Sequence, residues 1–281
     1  MLDTLGLYLQ YPFVRRALIV GALISVCASL LGNVLVHRRL SLLGDGLSHV
    51  AFGAFSIAGV LPLAEKTPFV LGVTLVSAML LLRGERRASG DALLSMLSVG
   101  ILAVGYLLLN LFSDSRNVSV DISDVLFGAF AILTLSRAEV WMCAGLSAAT
   151  IGFFAVFHNR IFALAFDEAF SQACGVRIRL YRGLMAGAAA VIVVLSMRLV
   201  GSLLITALVV FPPLSAMRLC GSYRGVVLLS CLLSLSCTLL GILGAVAAGL
   251  PVGAAVVLAH LACFLLCCLM KRILRPAPVL D

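Results

Sequence analysis

Long apolar runs recur along this chain so closely that most of it has no polar face to turn to water. Nine can be marked: 17–36, 47–62, 68–82, 93–112, 138–157, 183–199, 201–217, 225–248 and 252–270. A helix needs roughly 20 such residues to cross the hydrocarbon core of a bilayer. The composition points the same way, with 63% hydrophobic and 11% charged residues and a mean hydropathy of +1.19. A soluble domain carries about 25% charged residues. The expected fold class is all-α, a polytopic transmembrane helical bundle with about eight or nine membrane-spanning helices. No polar stretch of the 281 residues is long enough for a second, soluble domain, so 1–281 reads as one transmembrane domain.

Several details of the pattern carry expectations. Val200-Gly201 reads as a tight turn between two spans, and Pro212-Pro213 should break or kink the second of them. Segment 125–135 is apolar but too short to span, which suits a re-entrant or interfacial position. Residues 1–16 are amphipathic, with Pro12 and Arg15-Arg16 ahead of the first long run. They read as an interfacial lead-in and not as a cleavable signal, because no small-residue cleavage site follows a short apolar core.

The net charge is +8 and comes almost wholly from arginine, since Lys66 and Lys271 are the only lysines. Arginine-rich loops mark the cytoplasmic side of a membrane protein. Loop 158–182 carries Arg160, Arg177, Arg179 and Arg182. Loop 83–91 carries Arg83, Arg86 and Arg87, loop 37–45 carries Arg38 and Arg39, and the C-terminus carries Lys271, Arg272 and Arg275. Counting through the spans places all four on one side. Loop 113–124, with Asp114, Asp121 and Asp124 against Arg116, then faces outward, and so does the pair Arg15-Arg16, against the rule. The arginines form no tract, so contact with anionic lipid is expected and a nucleic-acid partner is not. Nine cysteines fall mostly within apolar runs without a C-x-x-C pair and read as small buried hydrophobes.

Against this background one polar pair stands out. The segment Ser41-Leu-Leu-Gly-Asp45-Gly-Leu-Ser-His49 opens an apolar, small-residue helix. Ionisable groups at membrane depth are costly and mark functional sites by default. Positions i and i+4 share a helix face with Cβ atoms about 5–6 Å apart. Asp45 and His49 can therefore reach one divalent cation or relay a proton. The alternative is local: Asp45 can cap the free N–H groups of its helix, and His49 can simply pair with it. Carboxylate and imidazole suit zinc, manganese or ferrous iron, not copper(I). Two ligands fall short of the four of a structural zinc site, which fits an ion that must leave again.

Other residues draw blander readings. His260, alone in the last apolar run, reads as a packing histidine, and His37 and His158 as interfacial. Small residues in the second run (Gly53, Ala54, Ala58, Gly59) and the sixth (Gly183, Gly187, Ala188 to Ala190) allow close helix approach. Residues 165–177 read as a short helix, with Asp167 and Glu168 in its first turn and Gly175 as its stop. That helix is either a solvated connector or a docking element. No Gly-Lys pair occurs, so the chain has no P-loop, and neither G-x-S-x-G nor H-E-x-x-H is present.

Taken together these segments resemble the integral-membrane permease subunit of ABC transporters for zinc, manganese and iron. The likeness runs over nearly the whole chain. It is carried by Gln10-Tyr-Pro-Phe-Val-Arg-Arg16, by Arg39 through His49, by Phe166-Asp-Glu168 to Gly175, and by Val200 through Pro212. The resemblance implies a translocation pathway working by alternating access, with Asp45 and His49 as the metal-contacting pair and no resident cofactor. It implies that this chain is not itself an enzyme and that a separate ATP-binding cassette ATPase docks around Asp167, Glu168 and Gly175. An extracytoplasmic metal-binding protein and a second permease subunit, identical or related, complete the expected assembly in a bacterial inner membrane. Gly46 departs from the family's usual residue and should loosen the first turn after Asp45. The competing expectation is a stand-alone secondary or proton-coupled metal transporter, which internal repeats with paired broken helices would favour.

Overall fold

The computed structural model describes residues 11–61, 67–84, 90–112, 137–166 and 168–274. Among them the chain forms eleven helices and no strand. In order they are α1 (Pro12–His37), α2 (Leu43–Val60), α3 (Thr67–Gly84), α4 (Gly90–Phe112), α5 (Arg137–Val156), α6 (His158–Phe166), α7 (Glu168–Ala173), α8 (Ile178–Val200), α9 (Ser202–Leu219), α10 (Tyr223–Ala248) and α11 (Val252–Leu274). Each of the nine apolar runs is a helix. Seven are long and apolar enough to cross a membrane, and α3 and α9 hold the shorter apolar stretches Thr67–Leu82 and Leu204–Leu219. Segment 125–135, Asp167 and loop 113–124 lie outside the described residues.

The turn expected at Gly201 is present. Gly201 holds φ 90° and ψ 161° between α8 and α9, a backbone conformation open mainly to glycine. Of the expected break or kink at the prolines, the break does not occur. α9 runs on through Pro212 and Pro213. A proline supplies no N–H to the carbonyl four residues earlier, here those of Leu208 and Val209. The Val209 carbonyl oxygen lies against Gly32 of α1, where any side chain would collide with it. A missing Cβ thus lets α1 close over the carbonyl that Pro213 leaves without its helical donor.

α1 sits at the centre, packed on α5, α8, α9 and α10. Its side chains Val20, Ala28 and Leu31 are sealed from solvent. Polar contacts tie it to α10: Asn33 Nδ2 donates to Ser230 Oγ at 2.6 Å, and Ser234 Oγ donates to the Ser25 carbonyl at 2.9 Å. With lipid on the outside, such contacts and close packing hold helices together where the hydrophobic effect does not. The outer helices show the reverse pattern. Leu228, Leu232 and Leu240 of α10 and Leu258, Leu265 and Leu269 of α11 are exposed, as a surface that meets acyl chains requires.

α2 runs beside α4 at close range. Side chains at Gly46 and Gly53 would collide with Leu94 and with the Ile101 backbone, and one at Gly105 with Gly53. Gly46 is therefore explained by packing. It sacrifices helix propensity in the first turn so that α4 can back the Asp45 segment. Of the small residues expected to pack, Ala54, Ala58, Ala189 and Ala190 are buried, whereas nothing lies near a Cβ built at Gly183. All nine cysteines are free thiols, and Cys27, Cys143, Cys237 and Cys267 are buried.

The loop at 158–182 holds two helices where one was expected. α6 is anchored, with Ile161 and Leu164 buried. Phe162 and Phe166 form ring contacts with Tyr223 at the start of α10, which His37 and His158 also touch. α7 ends as the sequence suggests. Gly175 takes φ +80°, its N–H donates to the Gln172 carbonyl, and the Val176 N–H donates to that of Ser171. This is the Schellman arrangement that stops a helix.

Candidate metal-contact site

Asp45 sits in the first turn of α2, yet it does not cap the helix. The residue before the helix is Leu42, and the helix start has no side-chain capping bond. The carboxylate is directed elsewhere. Asp45 Oδ2 lies 3.5 Å from His49 Nε2, and Asp45 Oδ1 accepts a hydrogen bond from Thr206 Oγ1 of α9 at 3.1 Å. Asp45 and His49 share a helix face as their i, i+4 spacing predicts; of the local alternative, the cap is absent and the pairing of His49 with Asp45 is present.

Three features position the pair. The Ser48 hydroxyl donates to the Asp45 carbonyl at 2.7 Å, which steadies the first turn. Gly46 brings α4 against one side of that turn, and on the other a Cβ added at Gly44 would just touch the Val209 side chain. Thr206 then fixes one carboxylate oxygen from α9, so the site joins α2 to the helix that follows the Gly201 turn. Immediate neighbours Leu47, Ser48 and Val50 are fully buried. The Asp45 and His49 side chains remain 41% and 29% exposed, so an ion can reach them without the bundle unfolding.

The chemistry follows from this spacing. Zinc–nitrogen and zinc–carboxylate bonds are about 2.0–2.2 Å long. A cation that far from two atoms 3.5 Å apart would see them at an angle of about 110°, compatible with an open tetrahedral shell. His49 Nδ1 is shielded and has no hydrogen-bond partner among the described residues. Among the described residues no carboxylate holds the ring from behind in the way that outer-shell carboxylates orient tightly bound ligands. No group of three or more His, Cys, Asp or Glu side chains suited to a metal exists among the described residues. Among the described residues, Asp45 and His49 are thus a pair of candidate ligands without a third of these types beside them.

Thr206 is the site residue that sequence reasoning missed. It lies 161 positions from Asp45; the available signal was a threonine in the middle of the apolar run before Pro212. His260 takes the role expected of it: it is 2% exposed, and its Nδ1 lies 2.9 Å from the carbonyl of Val256 in its own helix. Glu168 opens α7, Gly175 closes it, and Asp167 is outside the described residues. α7 packs on α6 and α8, and α8 packs on α2, so a rigid element links the loop to the helix that bears Asp45 and His49.

Comparison with known proteins adds four findings. The description of the ABC 3 transport family matches residues 10–271. A probable metal transport system membrane protein of Treponema pallidum is 31% identical over 215 residues, covering 75% of this chain and 77% of that protein. The manganese import system permease protein ScaB of Streptococcus parasanguinis is 24% identical over 258 residues, covering 92% and 90%. Among solved structures, PsaBC from Streptococcus pneumoniae in complex with Fab superposes with a TM-score of 0.83 at 23% identity, covering 99% of this chain and 97% of the other. At that identity the likeness speaks for the fold.

Proposed function

This chain belongs to the ABC 3 transport family, and on that premise we propose that it forms the membrane pathway for importing a divalent transition metal. It is a multi-pass membrane permease. The observation that carries the metal reading is the Asp45–His49 pair, 3.5 Å apart and held by Thr206. Manganese, zinc and ferrous iron all suit a carboxylate–imidazole pair. Manganese stands first, because relatives such as ScaB bear its name.

In this mechanism the ion sheds water against Asp45 and His49. The carboxylate supplies charge and His49 Nε2 supplies a neutral nitrogen donor, which requires that this nitrogen carry no proton. Water and other oxygen donors complete the shell. Two protein ligands suffice to replace part of the hydration shell, and their small number allows release on the far side. Thr206 keeps one carboxylate oxygen engaged and turned toward the site. Rocking of α2 against α9 would open and close it.

ATP is hydrolysed elsewhere in this scheme. A separate ATPase subunit docks on the loop that contains α6 and α7, with Asp167, Glu168 and Gly175 at the contact, and α8 conveys its movement to α2. An extracytoplasmic binding protein delivers the ion, and a second permease subunit completes the pathway. Family membership favours this ATP-driven arrangement over the stand-alone carrier.

The test is uptake by the whole complex, permease with its ATPase and binding protein, in proteoliposomes. Radioactive manganese should enter only with ATP, and excess unlabelled zinc or iron(II) should compete according to their acceptance. Uptake of manganese driven by a proton gradient without ATP would contradict the proposal.

A further inference from the structure

Five rings from three helices meet at one end of the bundle. Tyr223 opens α10, His37 closes α1, and His158, Phe162 and Phe166 lie along α6. From the Tyr223 ring, the centroid of Phe162 is 4.8 Å away, that of His37 5.3 Å, that of His158 5.7 Å and that of Phe166 5.8 Å. His37 and Phe166 stand 5.1 Å apart. All these separations fall in the range of about 4.5–7 Å at which ring pairs attract. Phe162 and Phe166 are 39% and 58% exposed, so the cluster is a clasp at the surface and not part of the sealed core.

The clasp has α7 on one side and the candidate metal contact on the other. α7 packs on α6, and α6 carries three of the rings. His37 is the last residue of α1, and its ring is pinned to its own helix, with Nδ1 2.6 Å from the Asn33 carbonyl. A carbonyl oxygen only accepts, so this nitrogen carries the proton. From His37 the chain reaches Leu43, the first residue of α2, through a turn closed by its own backbone. The Arg39 N–H donates to the Val36 carbonyl at 3.1 Å, the Leu40 N–H to that of Leu35 at 2.8 Å, and the Leu43 N–H to that of Leu40 at 3.0 Å. Arg39 holds φ 60°, a left-handed conformation that costs a residue with a side chain and sets the direction of the turn. A displacement of α6 is therefore passed by the rings to the end of α1, and by a stiff turn to the start of α2, where Asp45 sits. A separate grip joins α6 to α8, where Arg160 donates to the Tyr181 hydroxyl.

We propose that Tyr223 and His37 are positioning residues that couple movement of the α6–α7 loop to the Asp45–His49 pair, with the ring cluster as the joint. This rests on the reading of the chain as the permease of an ATP-driven importer, and it adds to the route through α8 a second one through the end of α1. Neither residue contacts the ion. Each acts by keeping α6, α1 and α10 moving as one.

The experiment uses the whole complex, permease with its ATPase and binding protein, in proteoliposomes, and measures manganese moved per ATP hydrolysed. Tyr223→Ala should lower this ratio about tenfold, within the range of ordinary coupling between sites, while the ATPase still co-purifies and hydrolyses ATP. Tyr223→Phe keeps the ring and should restore the parental ratio. His37→Ala cuts the joint from the α1 side and should lower the ratio as well, which decides the matter if Tyr223→Ala folds poorly. Leu228→Ala, at an exposed position of α10, should match the parent. Parental ratios in Tyr223→Ala and His37→Ala overturn the joint alone. Loss of ATPase co-purification in both variants assigns the rings to docking and also overturns it. A parent complex that moves no manganese with ATP overturns the permease reading, and the joint with it.

Discussion

Two histidines lie inside this bundle, and their surroundings differ in every respect that matters for transport. His49 of α2 faces a carboxylate at 3.5 Å and is 29% exposed. His260 of α11 is 2% exposed, and among the described residues its Nδ1 has the Val256 carbonyl of its own helix at hydrogen-bonding distance while its Nε2 has no partner. One ring is reachable and has a negative partner; the other is sealed among apolar helices. Histidine at membrane depth is thus no sign of function by itself. Access and a carboxylate partner make the difference, and the region around α2 and α9 has both.

The comparison can be broken first at the carboxylate. Asp45→Ala removes the only charge of the pair and should lower metal uptake by more than about 100-fold, beyond the 10–100-fold typical of losing an outer-shell partner. Assembly with the ATPase, followed by co-purification, should be unchanged. The next effect is on packing. Gly53→Leu places a side chain into the Ile101 backbone and should destabilise the bundle by about 1–3 kcal/mol or more, as overpacking does. A lowered melting temperature in detergent checks this.

Two further variants sharpen the contrast. Thr206→Val keeps the shape but removes the donor to Asp45 Oδ1. It should reduce uptake about tenfold, as loss of an outer-shell partner does, and should do so without changing complex yield. His260→Phe fills its site with another ring and forfeits one hydrogen bond worth about 1 kcal/mol. A small fall in melting temperature with undiminished uptake is the expected result.

Much of this was legible in the chain because lipid imposes a simple rule. Long apolar runs in lipid must close their hydrogen bonds within helices, and all nine did, seven of them at spanning length. The turn at Gly201 and the stop at Gly175 were legible because positive φ favours glycine. The Asp45–His49 spacing was legible because it is local. What was hidden depends on contacts between distant segments. Thr206 reaches Asp45 only once α9 crosses α2. Gly46 looks like a flaw in a helix until α4 lies against it. The Pro212-Pro213 pair left a break or a kink open, and α9 continues unbroken, with Gly32 of α1 admitting the Val209 carbonyl. α6 did not stand out as an anchored helix because its aromatic partners come from the ends of α1 and α10.

The central claim is that the reachable histidine, and not the sealed one, meets the ion. Initial rates of manganese uptake by the complete complex in proteoliposomes, measured side by side for His49→Ala and His260→Ala at matched ATPase content, test it most directly. The account predicts that uptake is lost in His49→Ala and persists in His260→Ala. Parental uptake by His49→Ala would contradict it.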